Sequence, residues 1–276
     1  MDDFGLHAGI NDAALRLAAM GRVHAIGCLV GGHAWGKESS GLLRRLDADG
    51  IDIGLHLDLT EVPLLPGSRR PLSSLIAASL LRRIDAPAVR SEIRAQLDAF
   101  EQALGRGPAF VDGHQHVHQL GVVRRELVEE LVDRYRGSKP WLRSTRVARG
   151  AGVKDPGGWH AIVKPRGIAL LGSRALASMA RRTGFGQNRR LLGVYDFRGG
   201  AQRYRDLLAA WLRAAGEADL LMCHPSAGLH EADLLIEARH AEFQVLSGTA
   251  FDAMLRDAGV TLAPMSRILE RPQGAA

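Results

Sequence analysis

The chain has 276 residues, 46% of them apolar and 24% charged, with a formal charge of +6. That length allows one large domain with a substantial core, the composition is that of an ordinary globular protein, and no run of eighteen apolar residues is present to span a membrane. The positive charge comes mostly as scattered arginine pairs (Arg44-Arg45, Arg69-Arg70, Arg82-Arg83, Arg124-Arg125, Arg181-Arg182, Arg189-Arg190), with only 5% aromatics, so a nucleic-acid partner is not expected.

From the start of the chain, Asp2 and Asp3 occupy the place where a signal peptide would need a basic stretch and an apolar core. Ile10 to Met20 reads as a helix. Ala25 to Val30 is a strand candidate, Lys37 to Leu46 helical, and Ile51 to Leu57 a second strand. Leu72 to Arg83 and Val89 to Leu104 read as helices. The latter has Val89, Ile93, Leu97, Phe100 and Leu104 spaced for one face. Ala109 to Val111 begins another strand, and Val122 to Tyr135 is helical. Trp141 to Thr145 and Leu192 to Phe197 look strand-like, and Gly150 to Gly158 reads as a surface loop. Tyr204 to Ala215 is helical, Asp219 to Cys223 a buried strand, and Val260 to Ala263 a last short strand. Strands separated by helices imply βα units and a parallel sheet, in one domain covering 1–276. Cys28 and Cys223 each lie in an apolar run and read as buried thiols of a reducing compartment, with the cytoplasm as the expected location. The four tryptophans (Trp35, Trp141, Trp159, Trp211) read as packing residues.

Parallel α/β proteins place their sites at the C-terminal ends of strands, so polar residues just after apolar runs are the candidates. Four places pass: Asp2-Asp3, His56, the run Asp112 to His118, and His224 before Pro225. A lone His56 in a strand is more often a hydrogen-bonded core residue than a ligand. His114, His116 and His118 are spaced two apart, so on an extended chain all three would converge on one side. Imidazole is a common metal ligand, and Asp112 could bond a neighbouring ring nitrogen and fix its tautomer. Adjacent acids point in different directions, so one of Asp2 and Asp3 could bind a cation while the other takes a proton; a helix N-cap is the plainer reading of that pair. His224 at a strand end could donate a proton; the plainer reading is a turn residue. Together these residues supply ligands, base and acid for metal-assisted hydrolysis.

At these residues the chain resembles the YdjC-like carbohydrate deacetylases, a group that includes chitooligosaccharide and hopanoid-associated deacetylases. The matching pieces are Asp2-Asp3-Phe4-Gly5-Leu6 with Gly9 and Asn11, Gly54-Leu55-His56-Leu57, Val111 to His118, and Cys223-His224-Pro225; Gly193 to Phe197 also looks familiar. The resemblance implies an irregular (β/α) barrel and a divalent cation, Mg²⁺ by family, with Zn²⁺ chemically suited to the same donors. It implies Asp2 as the base that activates water, Asp3, His56 and His114 as metal ligands, and His224 as proton donor or oxyanion stabiliser. The implied substrate is an N-acetylated sugar, free or glycolipid-linked. A different metal-dependent hydrolase or lyase on the same barrel, and a catalytically impaired sugar-binding relative, stay open, as does a homo-oligomer. Two departures stand out. Only Met1 precedes the acidic pair, so the first barrel strand is expected to be missing, and catalytic groups held loosely lose rate steeply. After Pro225 comes Ser226, with the expected glycine displaced to Gly228.

Overall fold

The computed structural model describes residues 1–147 and 171–270. Within them, short parallel strands alternate with helices: α1 (Ala8–Ala19), β1 (Ala25–Cys28), α2 (Lys37–Ala48), β2 (Asp52–Leu57), α3 (Leu72–Leu80), α4 (Ala86–Leu104) and β3 (Phe110–Gly113). A 3₁₀ segment (His114–Gln119), α5 (Gly121–Arg134) and β4 (Trp141–Leu142) follow. Beyond residue 170 come α6 (Ser173–Thr183), β5 (Leu191–Leu192), α7 (Gly200–Ala214), β6 (Leu220–Leu221), α8 (Ile236–Ser247), α9 (Ala250–Asp257) and α10 (Met265–Glu270). The first four strands pair in sequence order and all in parallel; β5 and β6 form a second parallel pair. All six residues of β2 are buried, as expected of a central strand of a parallel sheet.

Local chemistry explains where the longest helix begins and ends. Asp85 caps α4 by accepting from the Ala88 N–H, Pro87 sits in the first turn, and Gly105 terminates it at φ +76. The predicted stripe Val89, Ile93, Leu97, Phe100 and Leu104 is the buried one. On the outer side, Arg134 of α5 donates to both oxygens of Glu101, at 2.9 and 2.6 Å. Those bonds outweigh burial and hold the Glu101 carboxyl below its usual range. A depressed pKa stabilises above the unfolded value and is lost as pH falls through the folded one. Glu101→Gln is therefore expected to lower stability at neutral pH and to flatten the loss on acidification. Urea melts at neutral and acid pH check this; an unchanged acid slope would contradict it.

The chain's first residues are not loose. Gly27 N–H donates to Met1 O (2.9 Å), Phe4 N–H to Gly27 O (3.0 Å) and Leu29 N–H to Phe4 O (2.8 Å), and Asp2 N–H donates to Cys223 O (2.9 Å), just past β6. Residues 1–4 thus run alongside β1, where Phe4 and Cys28 make a parallel bridge. On the far side, Leu142 N–H donates to Gly186 O (2.9 Å) and Leu191 N–H to Arg146 O (2.8 Å), joining the end of β4 to β5.

Several predicted elements change. Val260–Ala263 is not a strand: it is a partly exposed connection between α9 and α10 with no ladder partner. The strand at Leu192 stops there because Gly193 turns at φ +90, close against Met222 O. After Leu142, the Asn188 side chain takes over the pairing, accepting from Ser144 N–H (2.7 Å) and donating to Ser144 O (3.0 Å). The strand at Asp219–Cys223 shortens to Leu220–Leu221. The Gly150–Gly158 loop and Trp159 lie outside the described residues. Trp35, Trp141 and Trp211 pack against other rings, both cysteines are buried free thiols, and no described helix is long and apolar enough to cross a membrane.

A candidate metal centre and active site

The acidic pair is fixed by its own motif. Asp3 has φ +70 and Gly5 φ +99, so the backbone kinks and sends the two carboxylates apart. Asn11 locks the kink, accepting from Gly5 N–H (2.7 Å) and donating to Ala34 O (3.0 Å). A Cβ on Gly5 would stand 2.6 Å from Leu29 O. Gly5→Ala is expected to cost more than about 1 kcal/mol and to displace Asp3; a thermal melt that stays unchanged would contradict this.

Asp2 and Asp3 are each 1% exposed. Both oxygens of Asp2 accept from Arg143, at 2.6 Å each. Burial pushes the Asp2 carboxyl up, but Arg143's charge and hydrogen bonds outweigh it and hold the group well below its usual range. Arg143 also stands 2.6 Å from Asp112 Oδ2, a charge contact without hydrogen-bond alignment. Asp3 faces the other way. Its Oδ1 accepts from His114 Nδ1 (2.9 Å) and lies 3.4 Å from His56 Nε2. Its Oδ2 has Arg239 Nη2 at 2.7 Å, again a charge contact.

Strand register does the rest. β2 and β3 pair His56 with Asp112, and Asp112 Oδ1 accepts from His56 Nδ1 at 2.6 Å. That leaves His56 Nε2 aimed at Asp3. Burial alone would lower the His56 pKa, but Asp112 and Asp2 raise it to about 9; His114 is raised in the same way by Asp3. The loop after β2 is held by Asp58, which accepts from Thr60, Glu61 and Val62 N–H, and brings Glu61 Oε1 to 3.1 Å from His114 Nε2.

The histidine run does not stay extended. Gln115 (φ +50) and His116 (φ +60) twist it into the 3₁₀ segment. The three rings therefore do not converge. His114 turns to Asp3, His116 lines the cavity, and His118 bonds Arg143 O at 3.0 Å. His224 sits at the end of the β6 segment, its Nε2 3.7 Å from Asp2 Oδ2 and its ring edge-on to Phe197. Burial pushes it down to about 4, against Asp2 and Asp3, so the ring is neutral at pH 7. The His224 backbone N–H donates to Glu242 (2.6 Å), which also accepts from Tyr195 OH (2.8 Å). Despite the displaced glycine, the loop beyond Pro225 is tied down: Ala227 N–H donates to Gly9 O (2.9 Å), and Ser226 Oγ to Gly228 O (2.7 Å).

Among the described residues, two groups bring donor atoms within 4.8 Å of one another: Asp3, His56 and His114; and Asp2, His56 and Asp112. In the second, Arg143 engages both carboxylates, whereas in the first the one guanidinium, Arg239, touches only Asp3 Oδ2 and leaves Oδ1 facing His56 and His114. The first offers one carboxylate oxygen and two ring nitrogens, with His56 Nε2 and His114 Nδ1 both turned to Asp3 Oδ1. It is the set that fits a cation. The site opens into a cavity of ≈ 840 Å³ lined by Asp2, Asp3, His56, His114, Tyr195, Phe197 and His224, among others. Arg143, Arg239 and Glu242 were not singled out in the sequence. Arg143 follows the apolar Trp141-Leu142 and passes the strand-end test; Arg239 and Glu242 lie on α8, where no sequence signal marks them.

Comparison with known proteins points one way. The family described as YdjC-like protein matches residues 1–257. A human protein named carbohydrate deacetylase is 35% identical over 143 residues, 47% of this chain and 43% of that one. A chitooligosaccharide deacetylase of Enterobacter sp. (strain 638) is 27% identical over 128 residues, 44% of this chain and 50% of that one. The matched region thus spans about half the length of these curated relatives or less. A crystal structure of a proposed cellobiose-phosphate cleavage protein from Enterococcus faecalis superimposes with a TM-score of 0.66 at 19% identity, covering 97% of this chain and 96% of that one; at that identity the likeness speaks for the fold alone.

Proposed function

The chain belongs to the YdjC-like protein family, and from that premise we propose that it is a metal-dependent deacetylase that removes an acetyl group from an N-acetylated sugar. The observation that carries the reading is the pairing of two differently held carboxylates on one cavity. Asp2 is bound on both oxygens by Arg143, while Asp3 shares a 4.8 Å donor cluster with His56 and His114. The backbone bonds that join residues 1–4 to β1 and Cys223, and β4 to β5, support an irregular (β/α) barrel as the scaffold.

In this reading Asp3, His56 and His114 hold the cation, and Asp112 fixes the His56 ring so that Nε2 faces the site. Asp2 stays ionised at neutral pH, points at the cavity and takes the proton of the attacking water. A carboxylate held so far below its usual range is a weak base. When bound, a divalent cation supplies what such a base lacks, polarising the amide carbonyl and acidifying water. His224, neutral at pH 7, donates a ring N–H to the developing oxyanion, and the proton that Asp2 took from water is passed on to the departing amine, with the His224 ring beside Asp2 as the relay. The products are acetate and a free amino sugar. The aromatic walls at Tyr195 and Phe197 suit a sugar face. One carboxylate and two imidazoles accept Zn²⁺ or another first-row ion, and Mg²⁺ is the ion the family resemblance implies.

Metal analysis tests the ligand set. The wild type is expected to bind about one divalent ion per chain, and His56→Ala to lower its affinity by at least roughly tenfold. Equal metal binding in both would remove His56 from the centre.

A further inference from the structure

We propose that residues 64–83 form a membrane-docking element that seats the rim of the cavity on an anionic phospholipid surface. Between Glu61 and Asp85 the chain has no acidic residue and carries four arginines, Arg69, Arg70, Arg82 and Arg83. The helix inside this stretch, α3, has no charged residue at all and buries only Leu75. It seats Leu75 in the core with Leu72 and Ile76 packed beside it, as a surface helix does, but its C-terminal end turns apolar side chains to water.

The leucines at its C-terminal end and in the loop before it are left outside. Leu80 is 75% exposed, Leu81 62%, Leu64 37% and Leu65 36%. They are four of the seven large exposed apolar side chains of the described residues; Leu80 and Leu81 run directly into Arg82 and Arg83, and exposed apolar surface of this kind marks an interaction site. The arginines differ from their neighbours too. On α4, α5 and the turn after α4, Arg90, Arg94, Arg106, Arg125 and Arg134 are each paired with a carboxylate, and Arg124 donates to Gln119 O. Among the described residues, none of Arg69, Arg70, Arg82 and Arg83 has such a partner. An apolar helix bracketed by unpaired arginines matches a bilayer interface, where leucines enter the acyl boundary and guanidinium groups meet lipid phosphates. Against a second copy of the same patch, the arginines would face one another, which disfavours a self-interface. Leu72 and Arg69 also line the cavity, so the element borders the site's mouth.

Vesicle flotation tests this with the intact chain. Wild type is expected to float with phosphatidylcholine vesicles containing phosphatidylglycerol, to bind pure phosphatidylcholine much more weakly, and to be released by salt. The charge reversal Arg82→Glu with Arg83→Glu is expected to cut binding to the anionic vesicles by at least roughly tenfold. Leu80→Ser with Leu81→Ser is expected to cut it several-fold. Both pairs lie on the surface, so melting temperature should be unchanged, as should acetate release from a soluble N-acetylated oligosaccharide. Absence of binding to anionic vesicles, or variants that bind as well as wild type, overturns the proposal. A dimer in sedimentation velocity that Leu80→Ser with Leu81→Ser converts to monomer also overturns it, because the face would then be an interface between copies.

Discussion

Arg143→Met is expected to lower stability by about 3–5 kcal/mol, read as a fall in melting temperature on the order of 10 °C. Arg143 is 2% exposed and stands between two buried carboxylates, Asp2 and Asp112. Removing one partner of a buried ionic group leaves the others desolvated and unpaired, a far larger penalty than the pair's net worth. Methionine fills much of the volume, so the loss reports charge more than packing. Arg143→Lys keeps the charge but cannot bond both Asp2 oxygens in the same plane, and should fall between Met and wild type. A melting temperature that stays put in Arg143→Met would show that Asp2 and Asp112 do not depend on this side chain.

Asp2→Asn is expected to lower kcat for acetate release by about 10²–10⁴-fold, with metal content retained. The amide keeps the shape but cannot take a proton. Asp2 lies outside the Asp3, His56 and His114 cluster, so the cation should stay. Asp3→Asn should behave differently, losing metal together with activity. The contrast between the two neighbours separates a base from a ligand. Activity retained in Asp2→Asn, or metal lost from it, would assign Asp2 a different role.

Much of this site was legible in the sequence because parallel strands deliver their C-terminal residues to one place. Looking just past each apolar run found Asp2, Asp3, His56, the run Asp112 to His118 and His224; the family resemblance picked His114 out of the run, and the structure brings Asp2, Asp3, His56, His114 and His224 to one cavity. The helix of Val89 to Leu104 was equally readable, since its apolar spacing, N-cap and terminating glycine agree. The failures have specific causes. Two-residue spacing in the histidine run implied convergence, but positive φ at Gln115 and His116, non-glycine residues, breaks the alternation. The acidic pair looked unsupported because its support is not local: Arg143 and Arg239 come from distant segments, and four residues of backbone pair with β1 and Cys223. Val260–Ala263 has the composition of a strand, yet among the described residues it pairs with none. Arg239 and Glu242 sit on a helix where nothing in the sequence distinguishes a site residue from a surface one.

The most direct test is acetate release from N-acetylated chito-oligosaccharides by the purified chain, after chelation and after a divalent cation is added back. The predicted result is stoichiometric acetate and free amine, lost with chelator and restored by the cation. Acetate release that a chelator does not touch, or a folded, metal-loaded chain that releases none, would contradict the account.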